Sequence, residues 1–145
     1  MKSLLASIVQ AGYQILAQNE EIRKLATSGV YTQAPRDLEG TYVVVSGRQF
    51  WVQDQRVYDP ESPVMPWQAY IQMCIVCRTN EPHFVKLLAL YECITYVLTA
   101  KPLSLSASSA YKGSIVFKPI QSQGQWEDNG QIQTCKLICE GIGRG

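Results

Sequence analysis

Groups able to act as nucleophiles, acid–base catalysts or metal ligands are few and scattered along this chain. His83 is the single histidine, so a catalytic triad or a histidine-based metal site would have one member available. It falls at the start of a predicted helix beside Pro82, where a solvated imidazole is expected. Five cysteines are present, Cys74, Cys77, Cys93, Cys135 and Cys139. Cys74 and Cys77 form a C-x-x-C that would suit zinc or a redox pair, but the motif lies in Ala69-Tyr70-Ile71-Gln72-Met73-Cys74-Ile75-Val76-Cys77-Arg78, a run with strand character. Residues three apart on a strand point to opposite faces, so these two sulfurs cannot share an ion. Cys135 and Cys139 fall on one face of a later strand, but about 13 Å apart by strand rise. The five are expected to be small buried apolar side chains in a reducing compartment.

Carboxylates occur in close pairs at Glu20/Glu21, Asp37/Glu39, Asp59/Glu61 and Glu127/Asp128. Each pair lies in a turn or at a helix start, where acids cap and solvate. None sits in an apolar run that would raise its pKa for proton transfer. A P-loop, a G-x-G-x-x-G after a strand, a G-x-S-x-G and an H-E-x-x-H are all missing. The expectation is a protein that is not an enzyme, with no catalytic, cofactor-binding or metal-binding residue and no cofactor. Arg48-Gln49-Phe50-Trp51 and Arg56-Val57-Tyr58 interleave bases with aromatics, as a single-strand binder would. Asp54, Asp59 and Glu61 offset those charges. Trp51 and Trp67, at predicted strand ends, are candidate anchors of a subunit interface.

The elements that would position these residues follow from periodicity. Leu4, Leu5, Ile8, Val9, Ala11, Ile15 and Leu16 recur at helical spacing and predict an amphipathic helix. Asn19 can cap a short second turn, Glu20 to Leu25, with acids first and bases last. Val30 to Pro35 reads as an extended connector, because Pro35 restrains Ala34. Thr41 to Ser46 is dense in β-branched residues and predicts a strand that continues toward Val52 after a bend at Gly47. Gln53 to Met65 carries two prolines, four charges and no period, and so reads as an extended arm of the kind that contacts a partner. Arg56, Tyr58, Asp59 and Glu61 are its exposed candidates.

Pro66 to Arg78 predicts a long strand. Asn80 and Pro82 predict the start of a helix from Phe84 to Thr99 that stops before Lys101-Pro102. Its apolar stripe is broad enough to pack on a sheet and on a neighbour as well. A Ser-rich, flexible stretch from Leu103 to Lys112 leads to a strand from Gly113 to Gln121. Asn129-Gly130 predicts the hairpin turn into Gln131 to Glu140, and Gly141 to Gly145 is expected to be a mobile tail.

The chain has 145 residues, 46% of them apolar, and a formal charge of +1. That size predicts one domain over 1–145 with its own core. The small charge disfavours general binding to nucleic acid or acidic lipid. No apolar stretch reaches the roughly 18 residues of a membrane span, so no membrane partner is expected. The predicted fold class is α+β, a mostly antiparallel four-stranded sheet with two helices on one face, in the order α-β-β-α-β-β.

This order, with Gly29-Val30-Tyr31, Ala34-Pro35 and Tyr42-Val43-Val44-Val45 at its start, resembles the tail-completion, or tail-terminator, family of long-tailed bacteriophages, whose opening has the form "G-R-V-Y … P … P-Y-V-V". Arg78 followed by the Phe84 to Thr99 helix, and the closing hairpin, are similar to that family as well. Thr41 departs from the proline usual before the Tyr-Val-Val strand.

The resemblance implies a virion structural protein, made in the host cytoplasm and located in the tail or neck. Such a protein forms a ring, commonly a homohexamer, on the major tail tube protein. It stops polymerisation and meets a head-side connector or stopper, while genome DNA passes without specific binding. Two alternatives are a head-proximal connector and, in another class, a small cytosolic ligand-binding module or enzyme.

Overall fold

The computed structural model describes residues 4–33, 39–53, 68–80, 84–105, 113–127 and 132–144. Helix α1 is Leu4–Ala17, buried along Leu4, Ile8, Ala11 and Leu16. Helix α2 is Glu20–Leu25, and the Asn19 side chain accepts from the Ile22 amide at 3.1 Å, the N-cap predicted from residue type. Past α2 the chain reverses at Gly29, whose φ of 105° favours a residue without a Cβ, and enters strand β1, Val30–Tyr31. Strand β2 is Thr41–Gln53 and β3 is Gln68–Thr79. Helix α3 spans Phe84–Thr99, the span expected from its periodicity. Strand β4 is Leu103–Ser104, β5 is Ser114–Glu127 and β6 is Ile132–Arg144.

The sheet has six strands in the order β1-β2-β3-β6-β5-β4. The pair β1–β2 is parallel and the others are antiparallel. This corrects the expected four-stranded antiparallel sheet with two helices: the sheet is mixed, and three helices accompany it. Both added strands are two residues long, too short to show alternation in sequence. Their neighbours create them. The Thr41 carbonyl accepts from the Ser28 amide at 2.9 Å and the Gly29 carbonyl from the Val43 amide at 3.1 Å, which pins β1, while the Leu105 amide donates to the Gly113 carbonyl at 3.0 Å beside β4.

A second correction concerns residues 141–144. They were expected in a mobile tail, but they form the end of β6, paired with β3 on one side and β5 on the other. Glycine suits position 141 in this strand. A Cβ on Gly141 would stand 2.5 Å from Phe117 Cε1, so the Phe117 ring occupies the space that a side chain would need. The amides that Asn80 was expected to cap lie outside the described residues, but the side chain has a second partner. Its side-chain oxygen accepts from the Gly40 amide at 2.9 Å, tying the end of β3 to the approach to β2.

One apolar core lies between the helices and one face of the sheet. It joins Leu4, Ile8 and Leu16 of α1, Leu87, Leu90, Ile94 and Leu98 of α3, and Val43, Val45, Ile71, Met73, Ile75, Ile115 and Leu137 of the strands. Helix α1 comes close to β3 at Gly12, where an added Cβ would stand 2.9 Å from the flexible end of Met73, its Cε. Burying these side chains supplies most of the stabilisation, at about 1.5–3 kcal/mol for each large one.

Candidate assembly surfaces

Alternation along the strands assigns every second residue to the face away from the helices. On β3 that face carries Gln68, Tyr70, Gln72, Cys74, Val76 and Arg78, and the register places Ile142, Glu140, Ile138, Lys136 and Thr134 of β6 beside the last five. Val116 and Lys118 of β5 continue the rows from Ile142 and Glu140, and Tyr42, Val44 and Ser46 of β2 continue those from Arg78, Val76 and Cys74. Tyr42, Cys74 and Ile138 are buried and yet stand outside the core cluster. Cys74 and Ile138 are side by side in register, while Tyr42 lies two rows along, in the row of Arg78 and the buried Thr134.

Polar side chains on this face partly pair among themselves. The Gln72 amide donates to the Tyr70 hydroxyl at 2.9 Å, and the Ser46 hydroxyl donates to the Cys74 carbonyl at 3.4 Å. Arg78 makes a long contact of 3.5 Å to the Tyr42 hydroxyl. Lys118 stands directly across from Glu140, the arrangement in which opposite charges support a sheet. The apolar residues are distributed unevenly. Val116 and Ile142, side by side in register, are 56% and 54% exposed, and Ile120, at the register shift in β5, is exposed too.

A second bare surface lies on α3. Leu87, Leu90, Ile94 and Leu98 face the core. Val85, Leu88, Ala89, Glu92 and Tyr96 lie on the exposed side at helical spacing, with Val85 79% and Tyr96 72% exposed. Exposed apolar groups clustered on one side of a helix favour contact with another surface.

The cysteines divide as strand alternation requires, with Cys74 on the open face and Cys77 toward the core. Cys77 lies directly opposite Cys135 in the sheet, and all five are free thiols. Burial, with a smaller contribution from Cys135, pushes the Cys77 thiol well above its ordinary range. Burial pushes Cys139 up to about 11 and also raises Cys135, and it raises Cys93 with help from the Glu21 carboxylate. Thiols held protonated in this way are poor nucleophiles and poor metal ligands. Among the described residues no group of three or more histidine, cysteine or acidic side chains is placed to hold a metal ion, and no helix is long and apolar enough to cross a membrane.

Of the residues singled out in the sequence, Trp51 belongs to β2, with Tyr70 as its neighbour in register. Trp67, Arg56, Tyr58, Asp59 and Glu61 lie outside the described residues, as does His83. Sequence reasoning anticipated the breadth of the α3 stripe but missed Val116, Ile120 and Ile142. Ile142 was hidden by its flanking glycines. The visible signal was that it falls in phase with Ile138 and Glu140, on the face opposite Leu137 and Cys139.

The sequence matches no family model, and no curated protein matches it. Among solved structures, a chain of the virion of a native gene transfer agent particle superposes on it with a TM-score of 0.70, covering 99% of this chain and 100% of that one at 21% identity. At that identity the likeness is one of fold, and it runs from one end of both chains to the other.

Proposed function

We propose that this chain is a structural component of a phage-like virion, and that within the particle it is the tail terminator: a ring subunit that caps the tail tube, stops its growth and offers a joining surface to the head-side connector. The observation that carries this reading is the end-to-end likeness in fold to a chain of a gene transfer agent virion. A shared fold leaves function open, so the surfaces matter as well. A sheet face that exposes Val116, Ile120 and Ile142, and a helix with an apolar outer stripe, suit a protein that works through contacts with copies of itself and with other structural proteins. The thiols support the same view, because the four whose pKa values are raised are held in their unreactive form. On this reading the protein is not an enzyme. Arg56, Tyr58, Asp59 and Glu61, in the segment between β2 and β3, are proposed to reach the adjoining ring.

Deleting the gene in a producing host tests the role. Loss of a terminator should give tubes of uncontrolled length and tail-less heads. Free tails of normal length beside full heads would instead assign the chain to the connector. Particles that form normally without it, or that never contain it by mass spectrometry, would defeat the virion reading.

A further inference from the structure

Two apolar surfaces are left bare, and they point in opposite directions. Helix α3 packs on the core side of the sheet, so its stripe of Val85, Leu88, Ala89 and Tyr96 faces away from the sheet. Val116 and Ile142 project from the other face, more than half exposed. A two-fold contact made through either surface would cover that surface in both copies and leave the other bare. A head-to-tail contact covers both, one from each copy, and can repeat.

The surfaces also fit one another in kind. Across sixteen residues α3 is about 24 Å long, enough to lie over the Val116–Ile142 row and the residues on either side of it. Helix on sheet is the layer contact that α3 already makes with its own strands, and a second helix layer would complete a three-layer arrangement. Charge agrees. Glu92 is the charged residue of the exposed stripe, whereas the described charged side chains of the β5–β6 open face are Lys118 and Lys136 against Glu140. An acidic group therefore meets a face with a basic excess.

We propose that copies of this chain associate head to tail, with the α3 stripe of one copy seated on the β5–β6 open face of the next. This deepens the ring subunit reading above by naming the two halves of the contact.

Two double variants test it. One alters the stripe (Val85→Asp with Tyr96→Asp) and the other alters the face (Val116→Asp with Ile142→Asp); all four positions are highly exposed, and circular dichroism checks that each variant folds. Sedimentation velocity and native mass spectrometry should show the unaltered protein assembling beyond the dimer as concentration rises. Each variant alone should self-associate at least tenfold more weakly. An equal mixture should give a one-to-one dimer that grows no further, since each copy then offers one intact surface.

The proposal fails if the unaltered protein stays monomeric at millimolar concentration, if either variant assembles normally, or if the mixture yields no dimer. Variants that self-associate normally but cannot enter particles would give these surfaces to a different virion protein, and that also overturns it. Normal head-to-tail assembly by a protein absent from particles would uphold this contact and defeat the virion reading.

Discussion

The two faces of the sheet are made from the same strands, residue by residue in alternation, and they have opposite character. On the helix side Val43, Val45, Ile71, Ile75 and Leu137 lose essentially all contact with solvent. Glycine appears there where bulk would collide, at Gly12 beneath Met73 and at Gly141 beneath Phe117. On the other side Lys118, Glu140, Lys136, Gln72 and Arg78 alternate with Val76, Ile138 and Ile142. One face is shaped by packing within the chain. The other keeps enough polarity to remain in water and enough apolar area to be worth covering.

This contrast can be broken most severely from the core side. Leu90→Ala removes a fully buried side chain of α3 and should cost about 2–5 kcal/mol in urea denaturation. A loss under about 1 kcal/mol would mean that the helix layer is loosely packed. Next in size comes an alkaline effect. The Cys77 and Cys139 thiols have raised pKa values in the folded state, so the folded chain keeps protons that the unfolded chain releases. Stability should be flat below pH of about 9 and should fall as pH climbs toward about 11, by up to roughly 3 kcal/mol from Cys139 alone. Denaturation at several alkaline pH values would check this, with Cys139→Ala flattening the slope.

Gly141→Ala should destabilise by about 1–3 kcal/mol through its clash with Phe117. Unchanged stability would show that the ring moves aside freely. Asn19→Ala removes the cap of α2 and should cost about 1 kcal/mol, read as a shift in thermal midpoint. At the far end of the scale, Val116→Thr and Ile142→Thr should change the stability of the isolated chain by less than about 0.5 kcal/mol. If they cost as much as core substitutions, the open face is structural and the contrast collapses.

Much of the helix layer was legible in the sequence. The stripe from Phe84 to Leu98 and the Asn19 cap each have a local cause, and local causes leave local patterns. The long strands β2 and β3 were legible through their β-branched runs. What escaped depends on distant partners. Strand β1 exists because Ser28 and Gly29 lie beside Thr41 and Val43, and Val30-Tyr31, though read as extended, does not announce that partner. Gly141-Ile142-Gly143 looked like a tail because the ladders that order it are made with two other strands, β3 and β5. The proposed interface was only half visible for the same reason. The α3 stripe is periodic in one segment, whereas the open-face patch is assembled laterally from β5 and β6.

The central pairing of β3 with β6 also bears on how quickly the chain can fold. The β2–β3 and β5–β6 pairs each join neighbouring segments, but β3 and β6 bring together residues as distant as Gln68 and Arg144. Closing so wide a loop demands a large loss of chain freedom before any contact rewards it. Each half should therefore zip early, with the rate of folding set by the moment the halves meet. Stopped-flow refolding would show this as a slowing by substitutions along the β3–β6 seam, such as Ile75→Val, that exceeds any slowing from equally destabilising changes in α1. Equal slowing from both would mean that the helices meet the sheet before the seam closes.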